Sequence, residues 1–257
     1  MRILPINGAF MHANLRLSKA AGVKVTEPDK CDSVCFRANV KDAKKVIILL
    51  GAPNSGKGTY GRQIANNFGI PQISTGDILR REIKNMSELG MKAKSFMESG
   101  GLVPDELIMS IFKKRIAEPD CAKGFILDGF PRTINQAEKL DELLKEDKNI
   151  GLKIVNLDVD RPILYARSAN RYTCADCSRV YSIKEGYNPE TSKCECGGKL
   201  IKRADDTPEV LTKRLESYDK QTKPLIEYYG DKVATVGLHG QDAPVSETLS
   251  RVMSKLV

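Results

Sequence analysis

Five consecutive apolar residues, Val46-Ile47-Ile48-Leu49-Leu50, stand out from an otherwise mixed chain. A run of that length without polar alternation predicts a strand buried on both faces, as in a parallel sheet. Further strands are predicted to end at Asp128, to run over 153–159 and to run over 233–236. Helical spacing occupies the ground between them. Helices are predicted over 60–68, from a cap at Ser74 or Thr75 through Lys84, and over 87–99, where Gly100 and Gly101 stop the run. Pro104 opens another over 105–118, with apolar residues at 107, 108, 111, 112 and 116. Further helices are predicted over 134–145 and from Asp160-Arg161-Pro162 to about 171. A long one runs over 208–229, capped by Asp206 or Thr207 and bent or broken at Pro224, and the last runs from Val245 to the end. Strands alternating with helices give the α/β class, an open parallel sheet with helices on both faces. The three short helices after the first strand–helix unit read as an insertion over a substrate.

The first strand runs into Gly51-Ala52-Pro53-Asn54-Ser55-Gly56-Lys57-Gly58-Thr59, and a helix follows. Strand, glycine loop and helix start make a phosphate-binding loop. Main-chain N–H groups wrap the phosphates, the helix N-terminus favours negative charge, and Lys57 reaches the terminal phosphates. The bland alternative is an ordinary glycine-rich turn. The general pattern sets Ser or Thr directly after the lysine to bind magnesium; here Gly58 holds that place. Magnesium is therefore expected to be held mostly by phosphates and water.

A second informative stretch, Asp128-Gly129-Phe130-Pro131-Arg132, follows the next buried strand. Ligands of parallel α/β sheets sit at the carboxyl ends of strands, so the two stretches are expected to converge. Asp128 then faces the magnesium shell and Arg132 the phosphates; the alternative for Asp128 is a turn-capping carboxylate. Asp77 and Arg80 share a helical face, either as a surface ion pair or with Arg80 aimed at a second anion. Arg167 and Arg171 are expected four apart on one helical face.

Composition narrows the class. With 257 residues, 41% hydrophobic and 29% charged, the chain fits one main globular domain with inserts. No apolar run approaches ~18 residues, so no spanning helix is expected. The net charge is +8, and residues 1–44, with eight Lys/Arg and four Asp/Glu, carry half of it. Up to Lys24 that segment has no acidic residue, which fits an organelle transit segment or equally a disordered tail. Localisation is accordingly expected to be intracellular, cytoplasmic or in an organelle matrix such as the mitochondrion. Cys31 and Cys35 read as ordinary thiols.

Four of the seven cysteines cluster, as Cys174-x2-Cys177 and Cys194-x-Cys196. An odd total with one cluster argues against a secreted disulfide framework and for a metal site. Four thiolates suit tetrahedral Zn²⁺ in a closed, structural shell, which would supply folding energy that so short a segment lacks. The single-residue spacing of the second pair is tighter than usual; Glu195 or Asp176 is the conceivable substitute ligand should Cys196 fall short. Four reduced thiols on a mobile flap are the alternative.

The ordered stretches GAPNSGKGT (51–59), STGDILR (74–80), GLVPDEL (101–107), GFILDGFPRT (124–133), RSANRY (167–172), RADDTPEV (203–210) and TKPLIEYY (222–229), with Gln136, Arg214 and the cysteine insert, resemble a long-form adenylate kinase. The resemblance covers roughly 45–257. It implies a parallel-sheet P-loop nucleoside monophosphate kinase core, a helical AMP-binding insert at 74–103 and a small zinc-binding lid at 170–206, with residues 1–44 as an N-terminal extension. The implied reaction is MgATP + AMP ⇌ 2 ADP. By match, Gly51, Asn54, Ser55, Gly56, Lys57, Gly58 and Thr59 hold ATP phosphates, and Arg167, Arg171, Val180 and Tyr181 contact ATP. Thr75, Arg80, Gly101, Leu102, Val103, Gly129, Phe130, Pro131, Arg132 and Gln136 bind AMP. Arg203 and Arg214 reach AMP and the transferring phosphoryl group. Asp205 and Asp206 belong to the same closing site, and the segment near Ala243 meets adenine through its backbone. Two departures, the Cys-x-Cys pair and Asn170 where glycine is common, bear on the lid's geometry.

Residue chemistry agrees with that expectation. Phosphoryl transfer between phosphates needs alignment and charge neutralisation more than proton transfer. His12 and His239 both lie outside the motifs, while Lys57, Arg132, Arg171, Arg203 and Arg214 stand at separate element ends. The expected partners are ATP, AMP and ADP, with Mg²⁺ and structural Zn²⁺, no nucleic acid, no membrane, and a monomeric working unit. A GTP:AMP phosphotransferase is the nearest alternative; a UMP/CMP kinase ranks lower, since those commonly carry Ala where Thr75 stands and lack a long lid. A zinc-ribbon nucleic-acid-binding protein is the rival of another class, but the insert lacks interleaved aromatic residues for stacking bases.

Overall fold

The computed structural model describes residues 43–183, 186–203 and 205–257. The expected N-terminal extension, with Cys31 and Cys35, lies outside them up to residue 42. Eight strands and nine α-helices are formed among the described residues. In chain order they are β1 (Lys44–Gly51), α1 (Lys57–Phe68), β2 (Gln72–Ser74), α2 (Thr75–Lys84), α3 (Glu88–Ser99), α4 (Asp105–Ile116), β3 (Gly124–Asp128), α5 (Ile134–Lys145), β4 (Ile150–Val159), α6 (Arg161–Asn170), β5 (Arg171–Cys174), β6 (Val180–Ser182), β7 (Leu200–Ile201), α7 (Pro208–Ser217), α8 (Pro224–Tyr229), β8 (Val233–Leu238) and α9 (Val245–Met253).

β1 sits mid-sheet in the order β2-β3-β1-β4-β8, every pair parallel. Its side chains divide between two cores. Val46, Ile48 and Leu50 join the cluster on one face, with Phe112, Phe125 and Phe130. Ile47 and Leu49 join the other, with Tyr60, Ile64 and Leu211. That two-sided burial is why β1 reads as an unbroken apolar run rather than an alternating one. Each such side chain contributes about 1.5–3 kcal/mol on removal from water. Among the described residues no helix is long and apolar enough to cross a membrane.

Several boundaries differ from the periodic reading. α1 starts at Lys57 rather than 60, because the glycine loop itself turns into the helix. α4 ends at Ile116 instead of 118; Glu118 precedes Pro119 and is extended (φ −70, ψ 146), as proline demands of its predecessor. The predicted helix over 208–229 is two helices. Between them lies a π-helical turn, Tyr218–Thr222, in which the Lys223 N–H donates to Tyr218 O at 2.8 Å. Pro224 has no N–H to continue the ladder, so it falls in the first turn of α8. The expectation of Arg167 and Arg171 on one helical face is overturned: α6 stops at Asn170, and Arg171 (φ −83, ψ 133) opens β5. α9 ends at Met253, short of the chain end.

The cysteine-rich segment between α6 and α7 forms its own antiparallel sheet, β6-β5-β7. Its apolar cluster is small: Cys174, Tyr181, Cys194 and Leu200, with Tyr172 and Tyr187 against them.

Candidate active site

The parallel register brings the ends of β1, β2 and β3 together. Leu49 lies beside Asp128, and Ser74 lies beside Asp128 on the other side. From these ends open a cleft of about 940 Å³ and the loop into α1. Gly56 caps α1 in the left-handed region (φ +98), where a Cβ would also stand 2.6 Å from the Tyr60 ring. A side chain there would therefore displace the loop. Lys57 folds back, its ammonium donating to Gly51 O at 2.7 Å, Ala52 O at 2.8 Å and Ser55 Oγ at 3.3 Å. Asp128 accepts from Gln72 Nε2 at 2.9 Å, which is not the turn-capping role open to it in the sequence.

Cations crowd this cleft. Nine cationic side chains and five carboxylates line it, a surplus that suits a polyanion. Ion pairs hold several arginines in place. Arg171 is paired with buried Asp206 through Nε at 3.0 Å and a second, shorter contact. Arg214 Nη1 donates to Asp205 Oδ2 at 2.8 Å. Arg80 is paired with Asp77, and Arg203 lies 3.8 Å from the same carboxylate. Arg167 Nη1 donates to Ser55 O at 2.9 Å, while its Nη2 meets Asp242 at 2.6 Å. Arg132 Nε donates to Gly129 O at 2.7 Å.

Burial lowers the Lys57 pKa to about 8; the Asp128 carboxylate works against this, and Arg132, Arg214 and Arg171 add repulsion. Arg132 falls to about 10 from burial and from Arg214 nearby. Arg203 falls to about 10 from burial and from Arg80 and Arg171. Burial also raises the Asp128 carboxyl, opposed by Lys57. Buried cations at depressed pKa values are short of counter-charge. The Nε groups of Arg80 and Arg203 are buried with no hydrogen-bond partner. Both observations fit a site that gains stability from phosphate oxygens.

The other predicted residues divide. Thr75 is buried and its hydroxyl donates to Gly129 O at 3.0 Å. Asn54, Thr59, Gly101, Leu102, Val103, Pro131, Gln136, Val180 and Ala243 line the cleft. Ser55, Phe130 and Asp206 do not line it: Phe130 stacks on Phe112 at 4.5 Å in the core, and Asp206 is buried behind Arg171. Tyr181 borders the cleft but is mostly buried, with its hydroxyl donating to Cys194 Sγ at 3.1 Å. The sequence reading assigned no role to Gln72, Asp242 and Asp105, which hold site residues in place; the first two lie outside the motifs. Asp242 carried no signal, because 75 residues separate it from Arg167. Asp105 did sit inside the quoted GLVPDEL stretch.

The four clustered cysteines form one group. Their Sγ atoms all lie within 4.8 Å of one another, with Cys174–Cys196 and Cys177–Cys194 at 3.4 Å. Tetrahedral zinc with Zn–S near 2.3 Å sets its sulfurs about 3.8 Å apart, so the donor set fits that ion. Cys196 reaches the group despite the short spacing, and no substitute ligand is required. Gly198 leaves room for Cys174: a Cβ there would stand 2.6 Å from its Sγ. The module also touches α2, where Lys84 Nζ donates to Ala175 O at 3.2 Å.

The family model described as adenylate kinase matches residues 49–234. The adenylate kinase of Clostridium tetani is 46% identical over 213 residues, 82% of this chain and 99% of that protein. The adenylate kinase of Acetivibrio thermocellus is 47% identical over 212 residues, 82% of this chain and 97% of that protein. That of Archaeoglobus fulgidus is 47% identical over 188 residues, 72% and 86% respectively.

Proposed function

Because the chain belongs to the adenylate kinase family, whose members are nucleoside monophosphate kinases and thus phosphotransferases, we propose that it carries out reversible magnesium-dependent transfer between ATP and AMP, giving two ADP. One observation carries the reading: a lysine in an amide-lined loop and a set of arginines from separate elements face one cleft, with cations in excess. The Lys57 ammonium exchanges its carbonyl partners for phosphate oxygens of ATP. Arg132, Arg171, Arg203 and Arg214 surround the phosphoryl group in transit and neutralise its charge. Thr75, Arg80 and Gln136 belong to the AMP side, and the 74–103 insert carries it. Phe130 contributes only through its backbone. Magnesium, held by phosphates and water with Asp128 as an outer partner, supplies further neutralisation when bound. The 170–206 module, stiffened by zinc, acts as a lid that excludes water from the phosphoryl group. Its contact with Lys84 supports closure against the AMP side. One chain holds every group that this chemistry uses, so the proposed working unit is a monomer.

A coupled assay with ATP or GTP as donor and AMP, UMP or CMP as acceptor tests the proposal directly. Turnover is expected with AMP, at a higher rate from ATP than from GTP. A preference for GTP would move the chain to the GTP:AMP reading, and no interconversion at all, with magnesium present, would end it.

The Lys57 pKa of about 8 gives binding a pH signature. Polyphosphate favours the ammonium, so the pKa rises on binding. Below about 8 the lysine is protonated in both states and affinity is at its full value; above it, binding must take up a proton and affinity falls. Calorimetry of ATP binding at pH 8.5, in buffers of different ionisation enthalpy, should read uptake of roughly half a proton or more, absent from Lys57→Met. Equal heats in all buffers would count against Lys57 as the phosphate ligand.

A further inference from the structure

Asp105 is the first residue of α4, yet its carboxylate is committed to α5. Its Oδ2 accepts from Thr133 Oγ1 at 3.1 Å and Asn135 Nδ2 at 2.7 Å, and its Oδ1 accepts from Gln136 Nε2 at 2.5 Å. Gln136 in turn accepts the backbone N–H of Arg132 through Oε1 at 2.7 Å. Gln136 is only 2% exposed, and it lines the cleft.

The two ends of a side-chain amide differ only by a half-turn. What fixes the turn is the chemistry of the neighbours. An ionised carboxylate can only accept, and a backbone N–H can only donate. With one at each end of Gln136, a single orientation satisfies both; the other sets donor against donor and acceptor against acceptor. Burial pushes the Asp105 carboxyl up, but the hydrogen bonds from Asn135, Gln136 and Thr133, with the charge of Lys139, hold it below the usual range. It is therefore an acceptor at neutral pH. The amide keeps one free lone pair on Oε1 and one free hydrogen on Nε2. An aminopurine offers N6–H as donor and N1 as acceptor along its edge. A 6-oxopurine offers the reverse, O6 as acceptor and N1–H as donor.

We propose that Asp105 is a positioning residue: by fixing the orientation of the Gln136 amide, it makes the acceptor site select a 6-aminopurine monophosphate over a 6-oxopurine one. It does so without touching the substrate. The inference rests on the reading of Gln136 as part of the AMP side.

The test measures kcat and KM for AMP, IMP and GMP at saturating MgATP. It compares the unmodified protein with Asp105→Ala, Asp105→Ser, Gln136→Met and each Asp105 change combined with Gln136→Met. Serine is tolerated near a helix start and is too short to reach Gln136, so it carries the test if the alanine variant fails to fold. Either Asp105 change should raise KM for AMP about tenfold, the scale of a lost charge-assisted hydrogen bond, with kcat and KM for ATP little altered. The AMP-to-IMP ratio of kcat/KM should narrow by about the same factor. In the Gln136→Met background the Asp105 changes should leave that ratio where Gln136→Met put it.

An unchanged ratio in the Asp105 single variants overturns the proposal. So does an equal loss in both backgrounds, which would make Asp105 a brace between α4 and α5. If Gln136→Met alters neither AMP nor IMP, the proposal falls together with the assignment of Gln136, while continued turnover of AMP leaves the kinase reading standing. If the unmodified protein never converts AMP, that reading fails first and takes the proposal with it.

Discussion

Arg132→Ala is expected to lower kcat by about a thousandfold or more, the scale of losing a group that neutralises charge in the transition state. Arg132 is half-buried, and its Nε donates to Gly129 O at 2.7 Å. Among the described residues none accepts from its two Nη groups, which leaves them for phosphate oxygens. Its pKa is pushed down to about 10 by burial and by Arg214, the mark of a charge short of counter-charge. Removing it ends the repulsion between Arg132 and Arg214 and relieves that on Lys57. The variant should therefore melt no earlier than the parent, and activity and stability should move in opposite directions. Lys57→Met should lose activity on the same scale, since it also removes a buried cation from the loop. Steady-state kinetics with calorimetric melting reads both effects. A fall in kcat of less than about tenfold, or a loss explained by unfolding, would refute the assigned role.

Removing the metal from the cysteine group is expected to have the second-largest effect. The module around it has too small an apolar cluster to hold three short strands by burial alone. On the proposal that the four thiols bind zinc, the metal would supply what burial does not; structural zinc contributes on the order of 10 kcal/mol in isolated small domains. Only the part of this energy that is coupled to the rest of the chain appears in the melting temperature. At roughly 2–4 °C per kcal/mol for a chain of this size, a chelator under reducing conditions should still lower it by about 10 °C or more. Cys194→Ala should do the same without chelator. Activity should fall with it, because β5 begins at Arg171 and the order of the module governs where that cation points. Metal analysis should find about one zinc per chain. A metal-free protein whose melting and turnover ignore chelator would remove the structural-metal assignment.

The two loops proposed to approach the phosphates were legible, as loops at the ends of β1 and β3, because their pattern is local. A buried strand, a run of glycines and a lysine at fixed spacing are set within some fifteen residues. The cysteine spacing was legible for the same reason, though not whether the tight second pair reaches the other two. Closure depends on a turn through Gly197 (φ +88) and on the room left at Gly198. Helix ends were less readable. Arg171 carries the helical spacing of Arg167, and yet strand pairing of β5 with β6 and β7 overrides that periodicity. The register of the two arginines was lost with it.

By itself, the sequence determined the parallel sheet, the glycine loop that leads from β1 into α1, the four thiols and the family, since each is written in neighbouring residues. Tertiary structure alone decided which partner each charged or amide group takes: Asp242 for Arg167, Asp206 for Arg171, Asp205 for Arg214, and Asp105 for Gln136 across 31 residues. Hydrogen bonds and ion pairs act over a few ångströms, and no periodicity along the chain encodes which distant residue the fold brings within that range.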